Sequence, residues 1–304
     1  AGSGVAVSGG AAPSLTACRV RSNKGAGLVV SGTGTDGTYE GNEFALNLGG
    51  GGAAFFPTPE GTSFETTANI CILSGANPVF ENCRVLDGRC SGVLAADGGL
   101  GQFGAGNELA GNDCYAVEVR GGGSGPTFAG CNISHSASQS AVYCHSSGGG
   151  FFDGVNIQAH SGSGAVETAC GGNPVLAGCK LSNGKGPTVL CRDGGEGIFD
   201  GCQIIGSFKA GVDIRGSPVA SNGRPVSAGR ETNPTFRSCK IYDGKGAGVF
   251  VHDGGGGVFE ENEILSNAGA GVDIKTEGNP TFRANRIFDG KVDGVHCHDN
   301  GRGT

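Results

Sequence analysis

Apolar and polar positions alternate along this chain in bursts of three to five residues, and glycine-rich stretches separate one burst from the next. In "NPTFRSCKIYDGKGAGVFVHD" (Asn233–Asp253), Phe236 and Ile241 each stand between polar neighbours, and Val249 and Val251 flank Phe250. Alternation with period two predicts strands whose successive side chains point to opposite faces. No segment carries the 3.6-residue stripe of a substantial helix. Glycine, which readily takes positive φ, fits the sharp corners between the strands.

The bursts recur. "NPTFRANRIFDGKVDGVHCHD" (Asn279–Asp299) repeats the first phrase 46 residues later, with 13 of 21 positions identical. Aligning every burst on its C-x-I or N-x-I core gives one column: Cys18, Asn42, Cys83, Asn107, Cys131, Val155, Cys179, Cys202, Cys239, Asn262 and Asn285. Eight of the ten spacings are 23 or 24 residues, and the exceptions, 41 and 37, contain insertions. Three positions upstream runs a mainly aromatic column, from Leu15 through Phe80, Phe128, Phe199 and Phe236 to Phe282. Two positions downstream runs an aliphatic one, from Val20 through Val85 and Ile204 to Ile287.

Eleven such units predict an all-β chain: a right-handed parallel β-helix of about 11 three-stranded coils, about 23 residues each, forming a single domain over 1–304. Coils stacked roughly 4.8 Å apart would make a rod of about 50 Å. Insertions are placed at about 57–74 and 217–230, both leaving just after the third strand. A second rhythm overlies the first: alternate coils open with Asn-Pro or a relative, so the full period is a double coil.

Composition narrows the function. Glycine supplies 63 of 304 residues, and the net charge of −7 lacks the basic signature of a nucleic-acid binder. No run of 18 apolar residues exists, so no membrane partner is expected. Methionine is absent, and the chain is read as an excerpt of a longer or processed one. Of the 13 cysteines, six fall in the core column, and Cys144, Cys191 and Cys297 take inward positions of the third strand. Parallel side chains on stacked strands hold Cβ atoms wider apart than disulfides prefer. Reduced thiols are therefore expected, hence cytosol or nucleus, whereas disulfides would point to secretion.

The third strand also presents an outward face. Its first outward column reads Val29, Leu94, Glu118, Tyr143, Glu167, Leu190, Asp213, Phe250, Asp273 and His296; its second reads Arg120, His145, Ala169, Arg192, Arg215, His252, Lys275 and His298. Acids in one column beside cations in the other make a charge lattice. Such a lattice can be a solvated face or a groove for an anionic partner, with Tyr143 and Phe250 as apolar surface. The binding candidates are Arg120, Tyr143, His145, Arg192, Asp213, Arg215, Phe250, His252, Asp273, Lys275, His296 and His298, the two insertions being expected to bracket them. Nearly half of the 49 charged side chains fall in the last hundred residues, which favours coils 8 to 11 as the contact zone.

The stretch "NPTFRSCKIYDGKGAGVFVHDGGGGVFEENEILSNAGAGVDIKTEGNPTFRANRIFDG" resembles the β-helix repeats called carbohydrate-binding and sugar-hydrolase repeats, including the version in the substrate-recognition region of F-box ubiquitin-ligase subunits. The resemblance covers coils 9 to 11 well, coils 3 to 8 more loosely, and coils 1 and 2 only in their columns. It implies a β-helix that recognises proteins; relatives elsewhere bind or process polysaccharides. No F-box lies in the chain. An enzyme of the latter kind would draw on Asp213, Asp273, Arg192, Arg215, His252 and Lys275. A catalytic cluster, however, is usually a singular break in a repeat, and these are its regular members.

No cofactor is expected, and no metal centre: C-x-x-C is lacking, and in "VHCHD" Cys297 points away from His296 and His298, leaving at most a two-histidine surface site. The expected function is a recognition scaffold that binds a protein partner through the charged strand face; a lyase, epimerase or lectin acting on an anionic polysaccharide is the alternative.

Overall fold

The computed structural model describes residues 2–48, 68–135, 137, 139–216 and 231–304. Every strand in it pairs in parallel with the equivalent strand of the neighbouring coil, in three sheets of 11, 11 and 12 strands. Sheet I runs from Ser14–Thr16 to Thr281–Arg283, sheet II from Arg19–Arg21 to Arg286–Phe288, and sheet III from Val5–Ser8 to Val295–Cys297. The chain visits I, II and III in turn, so each circuit is one coil of a solenoid, and no helix occurs among the described residues.

The columns read from the sequence are the interior. Phe128, Phe199 and Phe236 are fully buried. Rings stack in two runs: Tyr39 to Phe152, with centroids 4.4–5.1 Å apart, and Phe199 to Phe282, at 4.5–5.0 Å. Leu176 separates the runs, paired with Phe152 below and Phe199 above. One coil cannot cover its own apolar face; each ring is covered by the next, and each stacked pair adds about 0.5–1.5 kcal/mol beyond the area it buries.

Between sheets I and II the core-column residues reach back to the coil below. Asn107 Nδ2 donates to the carbonyl of Phe80 at 2.9 Å, and Asn262 Nδ2 to that of Phe236 at 3.0 Å. Where cysteine takes the position, its thiol faces the same acceptor: Cys239 Sγ lies 3.2 Å from Phe199 O, and Cys179 Sγ 3.3 Å from Phe152 O. A second, shorter asparagine ladder, Asn23–Asn47–Asn69–Asn112, links the corners entering sheet III through side-chain amide bonds of 2.7–2.9 Å. It was not anticipated, because its members lack a common neighbour motif.

Glycine marks where coils approach most closely. A Cβ on Gly172 would collide with the carbonyl oxygen of Cys144 in the preceding coil.

The placement of the insertions needs correction. Within the proposed 57–74 insertion, Ala68–Leu73 is itself a strand of sheet III, pairing with Leu28–Ser31 below and Ser91–Ala96 above. The extra residues of coil 2 therefore precede the third strand, whereas those of coil 8 follow Val212–Arg215. The two leave different corners. The remainder of the first insertion up to residue 67, and all of 217–230, lie outside the described residues.

Candidate functional site on the outer face of sheet III

Alternation fixes which side chains leave the core. In Val272–Ile274, Val272 and Ile274 are buried inside, so Asp273 points out. The strand register then stacks the first outward column throughout, and the second where the strands reach it, Arg120 with His145 and Arg215 with His252. The first runs Leu94, Glu118, Tyr143, Glu167, Leu190, Asp213, Phe250, Asp273, His296 without slippage, with Cys71 completing it between Val29 and Leu94.

Exposure along this strip is uneven. Leu94, Glu118, Glu167, Leu190 and Ala169 are buried although they point outward. Cys71, Leu73, Leu94 and Ala96 join Ala26 and Ala68 in a second, small apolar cluster on this side of the sheet. Arg120, His145 and Arg192 are half-buried, and from Asp213 to His298 every outward residue is half-buried or exposed.

The lattice is assembled by one rule used four times. The acid of an even coil binds the basic residue of the second column one coil above: Glu118–His145 at 3.4 Å, Glu167–Arg192 at 2.8 Å, Asp213–His252 at 3.1 Å and Asp273–His298 at 3.2 Å. The residue after each basic group has positive φ: Ser146 51°, Asp193 51°, Asp253 52°, Asp299 47°. Aspartate and serine tolerate that left-handed turn, which folds their side chains back onto the preceding one. Asp253 Oδ2 thus lies 2.7 Å from His252 Nδ1, Asp299 Oδ2 lies 2.9 Å from His298 Nδ1, and Asp193 grips Arg192. Each of His252 and His298 is held between two carboxylates.

Electrostatics follow from this geometry. Partial burial of His252 disfavours its charge, but the hydrogen bond and charge of Asp213, joined by Asp253, outweigh that and raise its pKa above the ordinary histidine value. Lower on the strip, buried Glu118 and Glu167 also accept bonds from Ser91 and Ser140. Their oxygens are already engaged by structural partners.

The aromatic surfaces are engaged too. Tyr143 stacks on His145, centroids 4.4 Å apart, and on Tyr115 at 4.9 Å. Phe250 stacks on His252 at 4.2 Å, and Lys275 Nζ lies 5.2 Å from the Phe250 ring centre. Tyr115, which entered none of the columns, was missed because it sits at the corner before the strand. Among the described residues, Arg215 and Lys275 form no ion pair with a carboxylate. Asp213, Asp273, Arg192, Arg215, His252 and Lys275, named as catalytic candidates, are brought onto one face but as members of this regular lattice. The binding candidates share the face; Arg120 stands beside His145 in the register.

A parallel β-solenoid of three sheets with a decorated third face is the class of protein these features define. The family model described as right handed beta helix region matches residues 1–133, 68–218 and 213–304, and the chain belongs to that family. No curated protein matches the sequence. Among solved structures, the chain is similar to the mannuronan C-5 epimerase AlgE4 A-module of Azotobacter vinelandii, at 10% identity and a TM-score of 0.39, covering 95% of this chain and 89% of that one. It is also similar to a TibC-catalysed hyper-glycosylated TibA fragment, at 12% identity and a TM-score of 0.30, covering 96% of this chain and all of the other. Likenesses at these scores carry no argument about function.

Proposed function

We propose that the protein is a β-helical recognition scaffold that binds an acidic, extended segment of a protein partner along the outer face of sheet III between Asp213 and His298. One observation carries this reading. The acids of the strip are each tied to a histidine or arginine of the next coil, while among the described residues Arg215 and Lys275 have no carboxylate partner. Arg215 and Lys275 are therefore the cations of this stretch left to meet a ligand, in a chain of net charge −7. A row of fixed strands offers such cations at intervals of about 9.6 Å, two coil rises, which suits an extended ligand.

The alternative of a carbohydrate-active β-helix would use the same cations on a uronate polymer. The engaged ring faces of Tyr143 and Phe250 favour the protein reading, since a sugar stacking there would have to displace His145, Tyr115, His252 or Lys275. The free thiols support a reducing compartment, cytosol or nucleus, as part of the proposal. A fluorescent oligoglutamate-containing peptide and a polygalacturonate oligomer of equal charge, compared by anisotropy, test it. Tighter, salt-sensitive binding of the peptide supports the scaffold. Preference for the uronate transfers the reading to the carbohydrate class, and no binding of either leaves the lattice a solvated surface.

A further inference from the structure

We propose that Asp273, His296 and His298 form a site for a divalent transition-metal ion of the zinc type. One donor atom from each residue lies within 4.8 Å of the others. Asp273 Oδ1 is 3.2 Å from His298 Nε2 and 3.8 Å from His296 Nδ1. Donors about 2.0–2.1 Å from a tetrahedral ion stand about 3.4 Å apart, so both separations come within a few tenths of an ångström of that spacing; the half-exposed His296 ring, stacked on His298 with centroids 4.4 Å apart, has to turn about its Cβ–Cγ bond to aim its lone pair at the shared point.

The orientation of His298 is fixed from behind. Its Nδ1 faces Asp299 Oδ2 at 2.9 Å. A proton held on Nδ1 by that carboxylate leaves the lone pair of Nε2 directed at Asp273 Oδ1, an arrangement that needs a cation or a second proton between the two. A carboxylate behind a ligating imidazole is the usual outer shell of zinc histidines. The side chains of Asp273, His296 and His298 are 26%, 50% and 33% exposed, which leaves a side open for water or an incoming ligand. Two imidazoles and one carboxylate suit zinc, with copper and nickel as competitors.

The chain contains its own comparison. Asp213, His252 and Asp253 reproduce Asp273, His298 and Asp299 nearly atom for atom, with contacts of 3.1 and 2.7 Å. There Phe250 occupies the position of His296, and no third ligand converges. Tyr143 and Leu190 occupy it in the coils below. His296 is therefore the singular departure from the repeat that the rest of the lattice lacks. The columns place Asp273 directly under His296, but not the diagonal reach of His298 from the second column to Asp273.

Calorimetric titration of the whole chain with zinc chloride tests the assignment, with circular dichroism to verify folding. One zinc per chain is expected. His296→Phe, which copies the residue of the lower coil, should weaken binding at least tenfold. Asp299→Ala should weaken it about ten- to a hundredfold, as outer-shell losses do. His252→Ala and Cys297→Ser should leave the affinity unchanged. The assignment is overturned by the absence of a one-to-one isotherm, by wild-type affinity in His296→Phe, or by loss of binding in His252→Ala or Cys297→Ser.

Discussion

His252 Nε2 lies 3.1 Å from Asp213 Oδ1, although 39 residues separate them in the chain. One coil rise brings them together, and the bond raises the pKa of His252. A histidine whose folded pKa exceeds its unfolded value of about 6.5 stabilises the fold fully below that value and loses the contribution as pH rises through the folded pKa. His135 has the opposite sign. Burial lowers its pKa more than a nearby backbone contact from Cys114 raises it, so the unfolded chain takes up the proton first and stability falls as pH drops below about 6.5. Chemical denaturation from pH 5 to pH 8 should show His252→Gln less stable than wild type at pH 5, the deficit shrinking by pH 8. His135→Phe should gain relative to wild type at pH 5 and lose that gain by pH 8.

The stacked rings make a steeper claim. Phe236 is buried between Phe199 and Phe259, so Phe236→Ala should cost about 3–5 kcal/mol. Phe151, 41% exposed on the outer side of sheet I, should tolerate the same change within about 0.5 kcal/mol. Equilibrium urea unfolding distinguishes the two; equal costs would disprove an inside and an outside to the coil.

Thiol accessibility reports on the same interior by another route. Cys18, Cys170 and Cys297 are exposed; Cys71 is buried on the outer side of sheet III, and seven are buried in the interior: Cys83, Cys131, Cys144, Cys179, Cys191, Cys202 and Cys239. Burial raises the pKa of Cys144 and Cys131 and further slows thiolate chemistry there. Brief iodoacetamide treatment of the native protein should label the first three and spare the seven, as read by peptide mass spectrometry. Full labelling should require denaturant but no reductant.

The two kinds of cation on sheet III should separate under truncation. Arg192 compensates buried Glu167, so Arg192→Ala should cost about 1–3 kcal/mol by leaving that carboxylate short of its partner. Lys275 contacts only a ring face among the described residues, and Lys275→Ala should stay within about 0.5 kcal/mol. Thermal denaturation of the pair of variants checks the difference.

Much of this was legible in the sequence for a physical reason. A solenoid converts vertical stacking into fixed sequence spacing, so Phe128 under Phe152, or Asp213 under Phe250, can be read by counting. Counting failed where the count was interrupted: Ala68–Leu73 carries no glycine corner before it that matches its sister strands, and it was assigned to the insertion. Counting also says nothing about cover, so it does not distinguish buried Glu118, Glu167 and Leu190 from half-buried Asp213. Contacts outside a single column, such as Tyr115 on Tyr143 or Asp273 with His298, depend on rotamers and neighbouring coils, which no single repeat encodes.

The central functional claim is that Arg215 and Lys275 supply the free charge for an acidic partner. The most direct measurement compares the affinity of an acidic peptide for Arg215→Glu/Lys275→Glu with that for Arg237→Glu/Arg283→Glu, which makes the same charge change on sheet I, where both arginines face Glu260. The account predicts that binding is lost only in the first variant. Equal losses in both, or none in the first, would contradict it.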